Sequence, residues 1–251
     1  MKKRVLSAML VAAMAMTAMP SQTFAEGALD AAQQTGKLSY DGYKKVWSDE
    51  FNGDSLNRAD WNVEIHEKGW VNNELQEYVD SAENIQVKDG KLIINPVKKV
   101  TDGDTGSTKE AASYTSGRVS TQNKQTFIYG RFECRAKVPK GQGYLPAFWL
   151  MANDENVYGQ WPRCGEIDCM EVMGQETNKA YGTLHYGNPH SQSQGTYTIT
   201  DGADFSDDFH IFTCDWEPGK IIWYVDGVKY HEESDWYSTT CLLYTSPSPR
   251  D

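Results

Sequence analysis

The stretch Gly-Glu-Ile-Asp-Cys-Met-Glu-Val-Met at residues 165–173 alternates acidic with apolar residues, as a β-strand with one polar and one apolar face does. On a regular strand the side chains of Glu166 and Asp168 share a face, whereas that of Glu171 points to the opposite face. If all three acids serve one site, the strand must absorb one extra residue. We therefore predict a β-bulge near residues 169–170.

Short extended runs separated by turns recur on both sides of this stretch. They cover residues 84–87, 91–97, 116–121, 127–138, 147–151, 166–173, 181–186, 210–216 and 221–225. Asp-Gly pairs at 89–90 and 226–227 lie between β-rich segments and predict two hairpins. The sequence shows no long apolar stripe with the period of a helix. These patterns predict an all-β fold of two packed antiparallel sheets, a sandwich or jelly roll.

The first 25 residues have the order of a secretory signal peptide, with a basic start, an apolar run and a small-residue exit ending at Ala25. The apolar run, residues 6–19, is too short for a convincing membrane span. We therefore expect a secreted protein, extracellular or periplasmic, without membrane association after cleavage. Cleavage removes three positive charges from a net charge of −11 and leaves −14. That acidity argues against a nucleic-acid partner, because phosphates require a basic surface.

The rest of the chain is long enough for one domain with one sizeable core. We expect a polar leader at residues 26–43, an ordered domain at 44–240 and a surface loop at 101–112, and we expect a monomer. The cysteines of the domain are Cys134, Cys164, Cys169 and Cys214. Their spacing is not that of a disulfide framework, so buried thiols and one disulfide are both open alternatives.

The three acids of residues 165–173 fit the cleavage of a glycosidic bond with retention of configuration. That reaction needs an ionised carboxylate as nucleophile and a protonated carboxyl as acid, about 5–5.5 Å apart. A negative neighbour raises the pKa of a carboxyl, so clustering keeps one acid protonated near neutral pH. Eight tryptophans and fourteen tyrosines supply faces for stacking on a neutral polysaccharide. The alternative is an acidic edge strand facing solvent, with Ile167, Met170 and Val172 in the core.

The stretch Trp-Pro-Arg-Cys-Gly-Glu-Ile-Asp-Cys-Met-Glu at residues 161–171 resembles the signature WPxxGEIDxxE of the laminarinase-like branch of glycoside hydrolase family 16. This longer motif is the bulged form, whereas typical lichenases carry ExDxE. Further matches are WSDEF at 47–51, NNELQEY at 72–78, YTSGR at 114–118, GRF at 130–132, PAFW at 146–149, TLHYG at 183–187 and WYVDG at 223–227. The resemblance implies a β-jelly roll whose concave face forms an open cleft.

The resemblance also implies roles for individual residues. Glu166 looks like the nucleophile, Asp168 its assistant and Glu171 the acid/base. The residues that it places in a sugar-binding cleft are Asn73, Arg118, Trp149, Trp161, His185, Trp70 and Glu74. Their structural alternatives are a turn-capping amide, a surface cation, a structural histidine and core tryptophans. The family usually carries a tryptophan where this chain has Leu145, so one aromatic contact of the cleft is absent from the pattern.

These features predict a secreted retaining endo-β-glucanase that hydrolyses internal β-1,3 linkages of laminarin-like or mixed-linkage β-glucans. The alternatives are a transglycosylase, an agarase- or carrageenase-type galactan hydrolase of the same family, and a non-catalytic glucan-binding lectin. A lectin has no need of three clustered acids. The histidines lack the spacing of metal ligands, so we expect no cofactor in catalysis. The resemblance allows a structural Ca²⁺, for which the sequence gives no ligands.

The last eleven residues, 241–251, do not continue the β pattern. Their composition alone predicts a flexible Ser/Pro linker. They also look like a translated sequencing adapter, so we expect a non-native tail. Relatives continue with closing strands after the hairpin at 223–230, which implies C-terminal truncation. Because lost strands leave backbone groups unpaired, we expect the chain as written to fold poorly and to show little activity, unlike a completed version.

Overall fold

The computed structural model of the chain describes residues 39–99 and 113–236, together with the backbone of residues 4–7. They form two compact units, of which the first comprises residues 4–7, 39–48 and 127–236 and the second residues 49–99 and 113–126. Most of the predicted signal peptide and leader, the loop at 101–112 and the tail at 241–251 lie outside the described residues.

Seventeen strands and one short helix are present in the described part of the chain. The strands are β1 (Arg4–Ser7), β2 (Tyr43–Trp47), β3 (Asn62–Val63), β4 (Gln76–Tyr78), β5 (Ile85–Val87), β6 (Leu92–Ile94), β7 (Val97–Lys99), β8 (Ser113–Ser116), β9 (Val119–Ser120), β10 (Gly130–Ala136), β11 (Ala147–Met151), β12 (Glu166–Glu171), β13 (Lys179–Tyr186), β14 (Ser191–Thr198), β15 (His210–Glu217), β16 (Lys220–Val225) and β17 (Val228–Glu233). The helix is α1 (Glu155–Tyr158). The expected all-β class is confirmed.

The first unit contains a six-stranded and a four-stranded sheet. The larger sheet has the order β17-β16-β15-β10-β1-β2, and the smaller has the order β11-β12-β13-β14. Neighbouring strands are antiparallel, except that β1 runs parallel to both β2 and β10. The predicted pair of antiparallel sheets is therefore confirmed, with β1 as a parallel exception.

The core of this unit lies between the two sheets. Phe132 and Phe212 from the larger sheet and Leu184 from the smaller one are among its buried residues. Burying each such side chain stabilises the fold by about 1.5–3 kcal/mol. Trp223 is wholly buried, and its indole Nε1 donates a hydrogen bond of 2.8 Å to the backbone oxygen of Asp168. This bond joins the larger sheet to the strand that carries the acids.

The four cysteines of the first unit are all buried thiols. Of the two open alternatives for these residues, the structure has buried thiols. Cys169 lies at the predicted bulge, and its thiol contacts that of Cys214 in β15. Burial raises the pKa of the Cys169 thiol well above its ordinary value, so this thiol behaves as a small apolar core group.

Two glycines let the sheets approach closely. Gly182 and Gly195 are register partners in β13 and β14. A Cβ at Gly182 would lie 2.5 Å from a ring carbon of Trp223, and a Cβ at Gly195 would overlap the side chain of His231. A side chain at either position would therefore push the sheets apart.

Both predicted Asp-Gly hairpins are confirmed. Asp89 and Gly90 connect β5 to β6, and Asp226 and Gly227 connect β16 to β17. Their φ angles are 52°, 67°, 48° and 80°, in the left-handed region that two-residue type I′ turns require. The carboxylate of Asp226 accepts a hydrogen bond from the backbone N–H of Ile211, and the backbone N–H of Asp226 donates to the carbonyl oxygen of Ile211, which ties the second hairpin to β15.

The second unit contains three small sheets, with the orders β3-β9, β4-β8-β7 and β5-β6. Phe51, Leu56 and Trp61 form part of its buried interior. The indole of Trp61 donates a hydrogen bond of 2.8 Å to Asp49, which satisfies the one polar atom of that side chain. Across the described residues, none of the helical segments has the length and hydropathy needed to cross a membrane.

Candidate active site

Strand β12 contains the predicted bulge. Along β13, Thr183 and Tyr181 are two residues apart, yet they pair with Asp168 and Glu171, which are three apart. Directly opposite residues of paired strands share a face, and Thr183 and Tyr181 share theirs. The extra residue of β12 therefore brings Glu171 to the same face as Asp168. Glu166, which pairs with His185, lies there too.

The neighbouring strand β11 gives the same result. Trp149 pairs with Asp168, whereas the adjacent Phe148 pairs with Met170, so one step along β11 matches two steps along β12. Trp149 therefore lies beside the acids, while Phe148 is buried in the core. The bulge predicted from spacing alone is confirmed, and Glu166, Asp168 and Glu171, here called the three acids, share one face of the sheet.

Burial raises the pKa of each of the three acids to about 7. The negative charge of Asp168 raises the pKa of both glutamates further, and the proximity of His185 lowers both. Carboxyls that titrate near pH 7 are partly protonated in neutral solution. The site can therefore hold an ionised and a protonated carboxyl at the same time, as acid–base chemistry at a glycosidic bond requires.

Two predicted site residues contact the acids directly. The indole Nε1 of Trp161 donates a hydrogen bond of 2.6 Å to Oε2 of Glu166. Nε2 of His185 lies 3.2 Å from Oδ2 of Asp168. The backbone N–H of Trp161 donates to Glu155 of helix α1 at 3.0 Å, which helps to hold the indole in place. The sequence predicted a stacking role for Trp161, and the structure adds this hydrogen bond to Glu166.

His190 belongs to the same cluster and was not predicted. It lies in the turn that connects β13 to β14, and its Nε2 is 2.9 Å from Nδ1 of His185. Its ring centroid is 4.9 Å from that of Trp161. An isolated histidine in a polar turn carries no signal in the sequence. Its position follows from the pairing of β13 with β14, which the sequence analysis did not predict.

Four predicted sugar-binding residues lie in the second unit, where two of them are in contact. The guanidinium of Arg118 lies 5.0 Å from the ring centroid of Trp70, a cation–π geometry. Nε of Arg118 donates a hydrogen bond of 2.6 Å to Glu64. His66 stacks on Trp70 with centroids 3.5 Å apart. Arg118 is thus paired and mostly buried, and Glu64 and His66 are neighbours that sequence reasoning missed.

The other two residues, Asn73 and Glu74, lie in the turn before β4. Asn73 has a φ of 54°, a left-handed conformation that asparagine tolerates well. The backbone oxygen of Glu74 accepts a hydrogen bond of 2.9 Å from Gly69, which closes the turn beside Trp70. The side chain of Glu74 contacts the hydroxyl of Tyr78 and helps to raise its pKa, although burial is the larger cause. Both residues therefore have a structural role in this turn.

The described side chains include no group of three or more His, Cys, Asp or Glu residues arranged to hold a metal ion. The structure thus supplies no set of side chains to which the Ca²⁺ suggested by the resemblance can be assigned.

The raised pKa of Asp168 predicts a specific dependence of stability on pH. Between its ordinary pKa of 3.8 and its folded value of about 7, the folded chain binds more protons than the unfolded chain. The free energy of unfolding therefore falls as pH rises through this window, and Asp168→Asn removes that loss. We expect the variant to gain stability over the parent between pH 4 and 7, by on the order of 1–4 kcal/mol. Urea unfolding at several pH values measures this gain, and a pH-independent difference would contradict it.

The chain is similar to several known proteins. The model of glycosyl hydrolases family 16 matches residues 72–247. Glucan endo-1,3-beta-glucosidase A1 of Niallia circulans is 39% identical over 213 residues, which cover 79% of this chain and 31% of that protein. Glucan endo-1,3-beta-glucosidase of Cryptopygus antarcticus is 44% identical over 192 residues, covering 75% of this chain and 68% of that protein. This chain therefore spans about a third of the first relative and two thirds of the second.

A solved structure shows the same fold. The laminarinase catalytic domain of Thermotoga maritima has 40% sequence identity and a TM-score of 0.64, over 75% of this chain and 76% of that one. The fold of the described residues is accordingly the β-jelly roll expected from the sequence. A family model that matches most of the chain, together with these relatives, leads to one conclusion: this chain belongs to glycosyl hydrolase family 16.

Proposed function

We propose that this chain is a secreted, retaining endo-β-glucanase that cleaves internal β-1,3 linkages. One observation carries the proposal: the bulge in β12 places Glu166, Asp168 and Glu171 on one face of the sheet. Retaining cleavage needs two carboxyls close together, one as nucleophile and one as acid. The raised pKa values of about 7 support a site that holds both protonation states at neutral pH.

Glu166 is the nucleophile in this proposal. The hydrogen bond from Trp161 favours its ionised form, since an N–H donor stabilises a carboxylate. The carboxyls of Glu166 and Asp168 also share a hydrogen bond, and the proton between them can reside on Asp168. The ionised Glu166 attacks the anomeric carbon and forms a glycosyl-enzyme ester, as the bond to the leaving oxygen breaks.

Glu171 is the general acid and then the general base. Its pKa is raised by burial and by the charges of Asp168 and Glu166, so it enters the first step protonated. It gives its proton to the leaving oxygen, and it then takes a proton from the water that hydrolyses the ester. The proton that Glu171 loses in the first step is thus restored in the second.

The substrate in this proposal is a β-1,3-glucan such as laminarin, with mixed-linkage β-glucan next. Trp149 and Trp161 lie beside the acids and offer aromatic faces for sugar rings, and His185 contacts Asp168 in the same cluster. A sugar-binding role for Asn73, Glu74, Arg118 and Trp70 rests on the resemblance of their motifs to those of the family. The names of the two glucan endo-1,3-beta-glucosidases support this substrate class. Secretion rests on the signal-peptide pattern of residues 1–25, and cleavage after Ala25 would remove β1 from the larger sheet.

Neutral variants of the two glutamates test the assigned roles. Glu166→Gln should abolish hydrolysis without loss of folding, because the nucleophile is gone. Glu171→Gln should lower turnover of laminarin by about 10²–10⁴-fold, and it should affect aryl β-glycosides less, because their leaving groups need little protonation. Glu217→Gln, at the end of β15 in the other sheet, is the matched control. Equal losses on both kinds of substrate would argue against the acid role of Glu171.

A substrate panel tests the linkage preference. Initial rates on laminarin, barley β-glucan, agarose and carrageenan should rank laminarin first and barley glucan second, with no cleavage of the galactans. Size analysis of early products should show a broad range of oligosaccharides, because an open cleft permits internal cleavage. Cleavage of agarose alone would refute the proposed substrate, and transfer of glucan to added acceptor sugars in preference to water would identify a transglycosylase.

A further inference from the structure

His190 is the residue of the acid cluster to which the proposed mechanism gives no role. It contacts two side chains, and each of these contacts one of the acids. Its Nε2 lies 2.9 Å from Nδ1 of His185, whose Nε2 lies 3.2 Å from Asp168. Its ring also packs at 4.9 Å from Trp161, which donates to Glu166. The result is a continuous row of polar contacts from the surface turn to the acids.

We propose that His190 is a positioning residue that fixes the tautomer of His185, so that His185 presents an N–H to Asp168. The inference deepens the proposed function and rests on it for its catalytic consequence. His190 acts through His185 and does not itself contact the reacting atoms.

The two ring nitrogens of His185 have different roles when the ring is neutral. A neutral imidazole has one N–H donor and one bare nitrogen acceptor. If Nε2 of His185 donates to the carboxylate of Asp168, its Nδ1 must be the acceptor. The neighbour 2.9 Å from Nδ1 is Nε2 of His190, so both contacts are satisfied when His190 donates from that atom. With the opposite tautomer of His185, a bare nitrogen would face an oxygen of Asp168, and this contact is repulsive both when Asp168 is ionised and when its proton is held in the hydrogen bond to Glu166.

The surroundings of His185 contain few other charges that could set its tautomer. The three acids face it from β12, and Glu166 is its direct register partner. On its other side, in β14, the register partner is Gln192, which does not titrate. Trp161 packs nearby with ring centroids 6.0 Å apart and is also uncharged. His190 is therefore the titratable group opposite the acids, at the far nitrogen of the ring.

A consequence for the pH profile follows. An N–H held against Asp168 favours the ionised carboxylates of the cluster. Without His190 this donor is no longer fixed, so protons bind the cluster more readily and its apparent pKa rises. On the acid side of its pH profile, kcat/KM falls because the nucleophile becomes protonated. In a variant without His190, this acid limb should therefore lie at higher pH.

The experiment compares His190→Leu, which removes the donor, with His190→Gln, whose amide nitrogen can occupy the position of Nε2. We expect the Leu variant to lower kcat about tenfold, to leave KM within about twofold, and to raise the acid limb by about half to one pH unit. The Gln variant should retain most of kcat and the parent profile. Ser191→Ala, which follows His190 in the chain, is the control and should match the parent.

Three outcomes of the kinetics would overturn the proposal. The first is a Leu variant with an unchanged kcat and acid limb. The second is an equal impairment of the Leu and Gln variants, which a spacer would give, and the third is a change in KM alone, which a sugar contact would give.

Nitrogen NMR of the imidazoles tests the tautomer without any activity. His185 should have a protonated Nε2 and a bare Nδ1 in the parent, and a mixture of tautomers in the Leu variant. A protonated Nδ1 in the parent would refute the proposal. The NMR spectrum does not depend on turnover. If the chain cleaves no glucan, the proposed function is refuted, but the spectrum still shows which nitrogen of His185 is protonated.

Discussion

The extra residue in β12 is the constraint on which the site depends. Without the bulge, either Glu171 or the pair Glu166 and Asp168 would point toward the core, where burying an ionised carboxyl costs free energy. The bulge separates the two demands on this strand. Ile167, Cys169 and Met170 are buried, while the three acids share the opposite face. One inserted residue thus allows the same six-residue strand to serve both the core and the chemistry.

Holding three carboxyls together has an electrostatic cost, and the structure shows how it is reduced. Raised pKa values let protons neutralise part of the charge. Trp161 and His185 provide polar contacts to Glu166 and Asp168. From behind, Trp223 binds the backbone oxygen of Asp168, and the paired glycines of β13 and β14 let the larger sheet approach. The packing of the core and the geometry of the acids are therefore linked through one strand.

Much of the fold follows from local patterns in the sequence. The runs at 127–138, 147–151 and 210–216 correspond to β10, β11 and β15, because short runs rich in aromatic and apolar residues favour strands. The bulge followed from the spacing of the acids. Strand β14 was missed because its sequence, Ser-Gln-Ser-Gln-Gly-Thr-Tyr-Thr, has few apolar residues. Its residue in the core is Tyr197, and Gly195 lets the strand fit against His231 of the other sheet, a fit that no local pattern reveals.

The site was predictable to a similar extent. The three acids and the tryptophans stood in motifs, whereas His190, Glu64 and His66 are brought to their neighbours by tertiary pairing alone. We propose that the bulge makes Glu166 and Glu171 a retaining pair. Mass spectrometry after reaction with a 2-deoxy-2-fluoro β-1,3-glucosyl fluoride tests this pairing, because the reagent traps the glycosyl-enzyme ester. We expect a label on the carboxyl of Glu166. A label on Glu171, or turnover of the reagent with inversion and without any label, would contradict it.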